Sequence, residues 1–420
     1  MDKDVEKVFN LKAAGYQIDS RLINKGDIFF ALKGGQTDGH KYLKEVAKKG
    51  AIAAVVDSSY KIEEQSLDIQ LIKVDEVLGF LQALAAENLK KYSAKIIALT
   101  GTSSKTTTKE FLHTLIASQF KVSKTNKSYN SKRGLPIAIL NMDKNVDYLV
   151  LEMAMDKAKE IEKLVNIAPP DIAIVLQLAT YVGDLGTIDN LAVAKKEIFS
   201  HKKTKIKLIN KKLMSLNAFK DDNYLTFSIY DKTADFYLDI SNEIFYEMEK
   251  KTTIKLPFKE THFLENLTAA ISVCRILDIK YENIFKNFHL LKAYDLRFEK
   301  INLDGKIFIK DCYNGNPDAT FAALKNLPKT SGRKIAVLGS QRCYGPLSAK
   351  VHVDIVKFAK KYVDEILCIG DEFENINNVK NFSDLESIAN HLKKILKKDD
   401  VVLIKGSNSL KMEKIIDFIN

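Results

Sequence analysis

The chain has 420 residues, of which 46% are hydrophobic and 28% charged, with a formal net charge of +11. This length suggests about two to four domains, and the composition excludes a disordered chain, while no apolar run of about 18 residues predicts a membrane-spanning helix and the charged start "MDKDVEKVFNLKAAG" lacks a signal-peptide core. The cysteines, Cys274, Cys312, Cys343 and Cys368, form no CxxC pair and read as free thiols of a reducing cytoplasm, and the lysines are spread along the chain without a basic-and-aromatic platform, so no nucleic-acid partner is expected.

In chain order, residues 1–92 carry the short apolar runs "GDIFFALKGG", "AIAAVVD" and "IQLIKVD" between helical patterns, which predicts a small α/β domain. Residues 93–302 begin with "KIIALTG", "DYLVLEMA" and "PDIAIVLQL", continuous apolar strands that alternate with helices. That pattern predicts a parallel sheet covered on both faces. The more mixed "TKIKLIN" follows. Between Tyr224 and Phe258 the alternation in "TFSIYD", "ADFYLDI" and "TTIKLPF" predicts an antiparallel insertion at a sheet edge. Residues 303–420 repeat the strand–helix alternation in "KIFIKD", "KIAVLGS", "EILCIGD" and "DVVLIKGS", a second doubly wound domain. The expected fold class is therefore α/β in three domains, 1–92, 93–302 and 303–420.

The chemistry gathers first in "IIALTGTSSKTTTKEFL", residues 96–112. A buried strand enters a small-residue turn, and a Lys-Thr pair opens a helix. This arrangement turns backbone N–H groups and a helix N-terminus toward phosphate oxygens. Gly101, Thr102, Ser103, Ser104, Lys105, Thr106 and Thr107 are the candidate nucleotide contacts. Lys105 would reach the β- and γ-phosphates, and Thr106 or Thr107 would lie near Mg²⁺. The spacing does not fit GxxxxGK[ST], and Ser104 stands where such loops usually place glycine. Either Ser104 accepts a strained φ > 0, or the turn has re-formed and the N–H cradle has moved. Glu152, at the end of the strand in "LVLEMAMD", is a hard oxygen donor suited to Mg²⁺.

"TGTSSKTTTKEF" resembles the TGxxGKTTTKE loop of the Mur ligases, ATP-dependent enzymes that add amino acids to bacterial cell-wall precursors. The resemblance spans almost the whole chain and is to the MurF type, which joins D-alanyl-D-alanine to UDP-N-acetylmuramoyl-tripeptide. "DSRLINKGDIFFALKGGQTDGHKYL" resembles the family's UDP-binding segment and implies substrate contacts from Ser20, Arg21, Lys33, Asp38 and His40. "TNKSYNSKRGLPIAIL" adds Thr125 and Asn130, with Ser131 and Lys132 where the family has Asn and an acidic residue. Glu152 falls on the family's metal-binding Glu. In "NLAVAKKEIF" the match falls on Lys195, whose family counterpart is carbamylated and helps hold a second Mg²⁺. Tyr181 stands in place of that metal's histidine, and Tyr is a poor Mg²⁺ ligand at neutral pH because its pKa is about 10.

"ETHFLENLTAAISV" resembles the adenine-side motif through His262 and Asn266, with Phe263 for an Asn. "LRFEKINLDGKIFIKDCYNGNPDATFAAL" implies nucleotide contacts from Arg297 and Asp311, and acceptor contacts from Tyr313, Asn314 and Asn316. "VLIKGSNSLKME" adds Lys405. "VLGSQRCYGPLSAKVH" keeps Gly339, Gly345, Ser348 and His352 but lacks the family's acidic MxELG core. The resemblance implies Lys105, Lys195 and Glu152 as the catalytic set, with Thr106, Glu152 and Lys195 at the metals. It also implies ATP and Mg²⁺ as cofactors, UDP-MurNAc-peptide and D-Ala-D-Ala as substrates, and a cytoplasmic monomer without a membrane anchor. Two alternatives remain: a ligase-fold protein that binds a UDP-sugar peptide or regulates a partner without turnover, and a related ligase with a different amino-acid acceptor.

Overall fold

The computed structural model describes residues 3–35, 37–61, 67–126, 129–182, 185–220, 222–292, 296–342 and 344–419. Cys343, one of the expected free thiols, lies outside the described residues; Cys274, Cys312 and Cys368 are buried free cysteines. Two compact units divide the chain. One comprises residues 1–100, 116–175 and 195–208, the other 101–115, 176–194 and 209–420.

The chain opens with α1 (Lys3–Asn10), β1 (Tyr16–Gln17), β2 (Ile28–Phe30), α2 (Leu43–Lys48), β3 (Ala53–Asp57), β4 (Gln70–Val74) and α3 (Val77–Leu89). The four strands lie in chain order in a parallel sheet. Phe29, Ala54 and Val56 pack with Leu43 and Val46 of α2 in its core. Next come β5 (Lys95–Thr100), α4 (Lys105–Ile116), β6 (Val122–Lys124), α5 (Gly134–Leu140), β7 (Tyr148–Glu152), α6 (Glu160–Ile167), β8 (Ile172–Val175), α7 (Ile188–Lys196) and β9 (Ile206–Asn210). The first four of these strands run parallel in the order β6–β7–β5–β8, as the continuous apolar runs predict. Leu99 pairs with Glu152 in this ladder, so the metal-ligand candidate ends its strand beside the last turn-bound residues of β5.

The region from Tyr224 to Phe258 holds β10 (Leu225–Ser228), β11 (Phe236–Asp239), β12 (Ile244–Glu247) and β13 (Lys250–Thr253). The expected antiparallel insertion needs one correction. β11, β12 and β13 are antiparallel neighbours, but β10 and β11 pair in parallel, Phe227 opposite Phe236. Alternation reports a half-buried face and carries no information on strand direction. The Asp235 carboxylate instead accepts from the Thr226 N–H and hydroxyl at 2.8 and 2.7 Å, fixing the crossing.

After α8 (Thr261–Ile276) and α9 (Tyr281–Lys286) come β14 (Glu299–Leu303), β15 (Lys306–Lys310), α10 (Pro317–Lys325), β16 (Lys334–Gly339), α11 (Ser348–Ala359), β17 (Glu365–Ile369), β18 (Lys380–Phe382), α12 (Leu385–Ile395), β19 (Val401–Lys405) and α13 (Lys414–Ile419). The last six strands form one sheet in the order β14–β15–β19–β16–β17–β18, parallel except for the β14–β15 hairpin. Asp304 (φ 50°) and Gly305 (φ 76°) make the hairpin turn, where both central residues need φ > 0. The domain boundary expected at 302 falls inside β14. Phe308, Val337, Leu367, Val402 and Ile404 pack with Ile388, Leu392 and Ile415 in the core of this sheet. Among the described residues no helix is long and apolar enough to cross a membrane.

Candidate nucleotide and substrate sites

The phosphate loop answers the question that Ser104 raises. Its φ is +71°, so serine has taken the left-handed turn that glycine would accept at no steric cost. The Ser104 carbonyl receives the Thr108 N–H at 2.9 Å and so begins α4. Gly101 has its own steric need, since a Cβ there would lie 3.0 Å from the Gln177 carbonyl oxygen. The Thr102 N–H donates to that carbonyl at 2.8 Å, and the Ser103 hydroxyl to Gln177 Oε1 at 3.3 Å. The Thr102 hydroxyl accepts the Ala179 N–H at 3.1 Å. Lys105 Nζ folds over the loop and donates to the carbonyls of Gly101 (2.9 Å) and Thr102 (3.3 Å), while Thr106 and Thr107 are buried at the helix start.

Arg297 meets this helix: its Nη2 donates to the Thr106 hydroxyl at 3.0 Å, and its guanidinium lies 4.4 Å from the centre of the Tyr313 ring. Its Nε is buried without a hydrogen-bond partner in the structure. Leu296 (φ 58°) and Phe298 (φ 57°) on either side are both left-handed. Such strain, roughly 1–3 kcal/mol per residue, is typical of segments that hold a side chain toward a ligand. Asp311 accepts the Phe298 N–H at 3.3 Å and an ion pair from Lys405 at 3.2 Å. Lys405 is fully buried, and its Nζ also donates to the carbonyls of Asp311 (3.0 Å) and Asn314 (2.8 Å). Lys405 therefore fastens the 311–314 loop, rather than reaching outward. Asn316, equally an acceptor candidate, caps α10 by accepting the Ala319 N–H at 2.8 Å.

Asn266 is buried on α8. Phe263, in the place of an adenine-side Asn, packs among aromatic rings, with centroids 5.1 Å from Phe258, 6.4 Å from Phe111 and 6.3 Å from Phe298. His262 lies between Phe263 and Phe298. Burial pushes its pKa down to about 4, against the opposing pull of Asp311 and Glu260. The Tyr181 hydroxyl donates to Asp354 at 2.7 Å. Burial, and then that carboxylate, push its pKa up to about 12. In the segment that lacks the acidic core, the buried His352 uses both nitrogens, Nε2 accepting the Gln341 N–H at 2.9 Å and Nδ1 facing the Ser348 carbonyl at 2.7 Å.

In the other unit, Glu152, Asn130 and Thr125 come together. Asn130 Nδ2 donates to Glu152 Oε1 at 2.7 Å, and the Glu152 N–H donates to the Thr125 hydroxyl at 3.3 Å. Thr125 is fully buried and serves this network. Lys195 is buried near the end of α7. Among the described residues no group of three or more His, Cys, Asp or Glu could hold a metal by itself. A Mg²⁺ held by one carboxylate, phosphate oxygens and waters needs no such group, and the buried Glu152 carboxylate fits it.

At the N-terminal sheet, Asp19 caps a short turn, accepting the Arg21 N–H at 3.0 Å and two guanidinium bonds, which hold its carboxyl below the usual range. Ser20 is buried beneath, its carbonyl accepting from Lys49 at 2.8 Å. Lys33 pairs with Asp57 at 2.8 Å. Asp38 accepts from His40 Nδ1 at 2.6 Å, and the buried His40 Nε2 accepts the Asp57 N–H at 3.1 Å. His40 is thus a pin between loop and β3, whereas the Arg21 and Lys33 side chains are exposed. Sequence reasoning missed Gln177, Asp318 and Asp354. A lone Gln just past the C-terminal end of a parallel strand was a usable signal for the first.

Three family models match the chain: the Mur ligase family catalytic domain over residues 12–88, the Mur ligase middle domain over 99–274, and the Mur ligase glutamate ligase domain over 296–408. The UDP-N-acetylmuramoyl-tripeptide–D-alanyl-D-alanine ligase of Rickettsia prowazekii is 28% identical, over 96% of this chain and 94% of the relative. The same-named ligase of Bacillus subtilis is 28% identical over 96% and 92%. The crystal structure of MurF ligase from Thermotoga maritima in complex with ADP superposes with a TM-score of 0.82 at 27% identity, covering 100% of this chain and 98% of that one. Together these matches run from residue 12 to residue 408, and the chain belongs to the Mur ligase family, with its likeness to the MurF type within it.

Proposed function

We propose that the chain is an ATP-dependent amide ligase that joins D-alanyl-D-alanine to UDP-N-acetylmuramoyl-tripeptide. The observation that carries this is the phosphate loop, in which Ser104 keeps the left-handed turn and Lys105 opens α4. The buried, unpartnered Arg297 Nε beside Thr106 is a donor suited to an anionic oxygen. In this reading residues 1–92 take the UDP-linked substrate through Arg21, Lys33 and the turns around Ser20 and Asp38. Residues 93–302 take ATP, and those from 303 take the dipeptide beside Tyr313 and Asn314.

The substrate carboxylate oxygen attacks the γ-phosphorus, the bond to the β–γ bridging oxygen breaks, and ADP leaves. The dipeptide amine then attacks the acyl carbonyl, loses a proton, and displaces phosphate. Lys105 and the N–H groups of the loop offset charge on the transferred phosphoryl group; Arg297 and Asp311 orient the nucleotide. Mg²⁺, when bound, supplies charge neutralisation at the phosphates. Glu152 would hold it, with Lys195, if carbamylated, as a further oxygen donor. A cytoplasmic monomer is part of the same proposal.

The test mixes pure protein with ATP, Mg²⁺, the UDP-linked tripeptide and D-Ala-D-Ala. Phosphate release that needs both substrates supports the ligase. Release with another dipeptide or amino acid only moves the assignment to a different acceptor. Nucleotide binding with no release under any acceptor favours the turnover-free reading, for which Tyr181 and Phe263 are the observations in favour.

A further inference from the structure

Tyr181 and its neighbours have a use that metal ligation does not describe. The segment after β8 is bonded at both of its ends. At the first, Gln177 accepts the Thr102 N–H and the Ser103 hydroxyl, and the Ala179 N–H donates to the Thr102 hydroxyl. Gln177 cannot rotate freely, because its Nε2 donates to the buried Glu265 carboxylate, which also accepts from Asn210 at 2.5 Å. At the second end, the Thr180 N–H and hydroxyl donate to the two oxygens of Asp318 at 2.8 and 2.7 Å, and the Tyr181 hydroxyl donates to Asp354 at 2.7 Å. Asp318 lies in the first turn of α10 and Asp354 on α11, the helices that follow the Tyr313–Asn316 acceptor loop.

We infer that residues 177–181 are a tether that couples the phosphate loop to the acceptor-side helices, with Tyr181 and Thr180 as positioning residues. The hydroxyl of Tyr181 stays protonated at neutral pH and so remains a donor to Asp354. Hydrogen bonds to a charged acceptor are stronger than neutral ones, and here three of them converge on two carboxylates. A shift of α10 and α11 is passed along a short run of chain to the Gln177 and Ala179 contacts that shape the loop around Ser104. The left-handed Ser104 makes that loop dependent on outside support, since the serine itself disfavours the turn. What the tether serves rests on the ligase reading; its existence does not.

The experiment compares the full chain with Tyr181→Phe, Asp354→Asn and the double variant. Hydrogen exchange is followed first without ligand, over residues 101–104 and 177–179, with β16 as the reference. The tether predicts exchange faster by about fivefold or more in both segments for each single variant, no further gain in the double, and an unchanged β16. Faster exchange confined to 180–182, or spread evenly over the protein, overturns it. Steady-state rates follow, with ATP and D-Ala-D-Ala varied separately. A rise in the dipeptide KM and a fall in kcat, with Tyr181→Phe matching Asp354→Asn, are expected for coupling. Equal loss in every parameter overturns it. If the wild type releases no phosphate while the exchange pattern appears, the ligase reading fails and the tether stands.

Discussion

Serine at φ +71° is the residue on which the competence of the nucleotide loop turns. A left-handed serine costs about 1–2 kcal/mol, a cost that slows an enzyme without abolishing it. Ser104→Gly should therefore leave stability unchanged or raise it by up to about 1 kcal/mol, whereas Ser104→Val should lower it by about 2 kcal/mol. Urea unfolding measures both, and equal midpoints for the two variants would remove strain from the account. His262 gives a second test. Its folded pKa, about 4, lies below the unfolded value of about 6.5, so the unfolded chain binds the extra proton between them. Its contribution to stability is complete above about pH 6.5 and is lost as pH falls toward 4, by roughly 3 kcal/mol. The difference in unfolding free energy between wild type and His262→Phe should change with pH across that window. A constant difference would mean that the histidine is not buried neutral.

Elements were legible where the signal was local. The apolar runs of β3, β5, β7, β8, β16, β17 and β19 fixed a parallel α/β reading, because a strand buried on both faces has little room for polar residues. β14 is less legible because "EKINL" carries only two apolar residues and none of its side chains is fully buried. The parallel pairing of β10 and β11 was missed because burial periodicity does not report direction. Two elements carry expected outcomes. Phe263 anchors an aromatic cluster with Phe111 of α4, so restoring the family residue by Phe263→Asn should cost about 3–5 kcal/mol and not improve nucleotide affinity. Tighter ADP binding by that variant, measured by calorimetry, would reverse the assignment of Phe263 to the core. Lys405→Ala leaves Asp311 as an unpaired, half-buried carboxylate and should destabilise the chain by about 3 kcal/mol in thermal or urea unfolding. A loss below about 1 kcal/mol would mean that Lys405 does not fasten the 311–314 loop.

At the scale of the molecule, the site was legible in proportion to how local it is. Lys105, Thr106 and Glu152 could be named from a strand end and a helix start. The partners Thr180–Asp318 and Tyr181–Asp354 are 138 and 173 residues apart in sequence, and no periodicity links such pairs. Likewise, nothing in the sequence said that Lys405, Asn316, Thr125 and His40 would spend their polar atoms on groups of the protein itself. The central claim is amide formation through an acyl phosphate, and isotope transfer tests it most directly. The UDP-linked tripeptide is labelled with ¹⁸O in its reacting carboxylate and incubated with the protein, ATP, Mg²⁺ and D-Ala-D-Ala. The account predicts one ¹⁸O in the released phosphate for each pentapeptide formed. Unlabelled phosphate, or none at all while the protein binds its nucleotide, would contradict it.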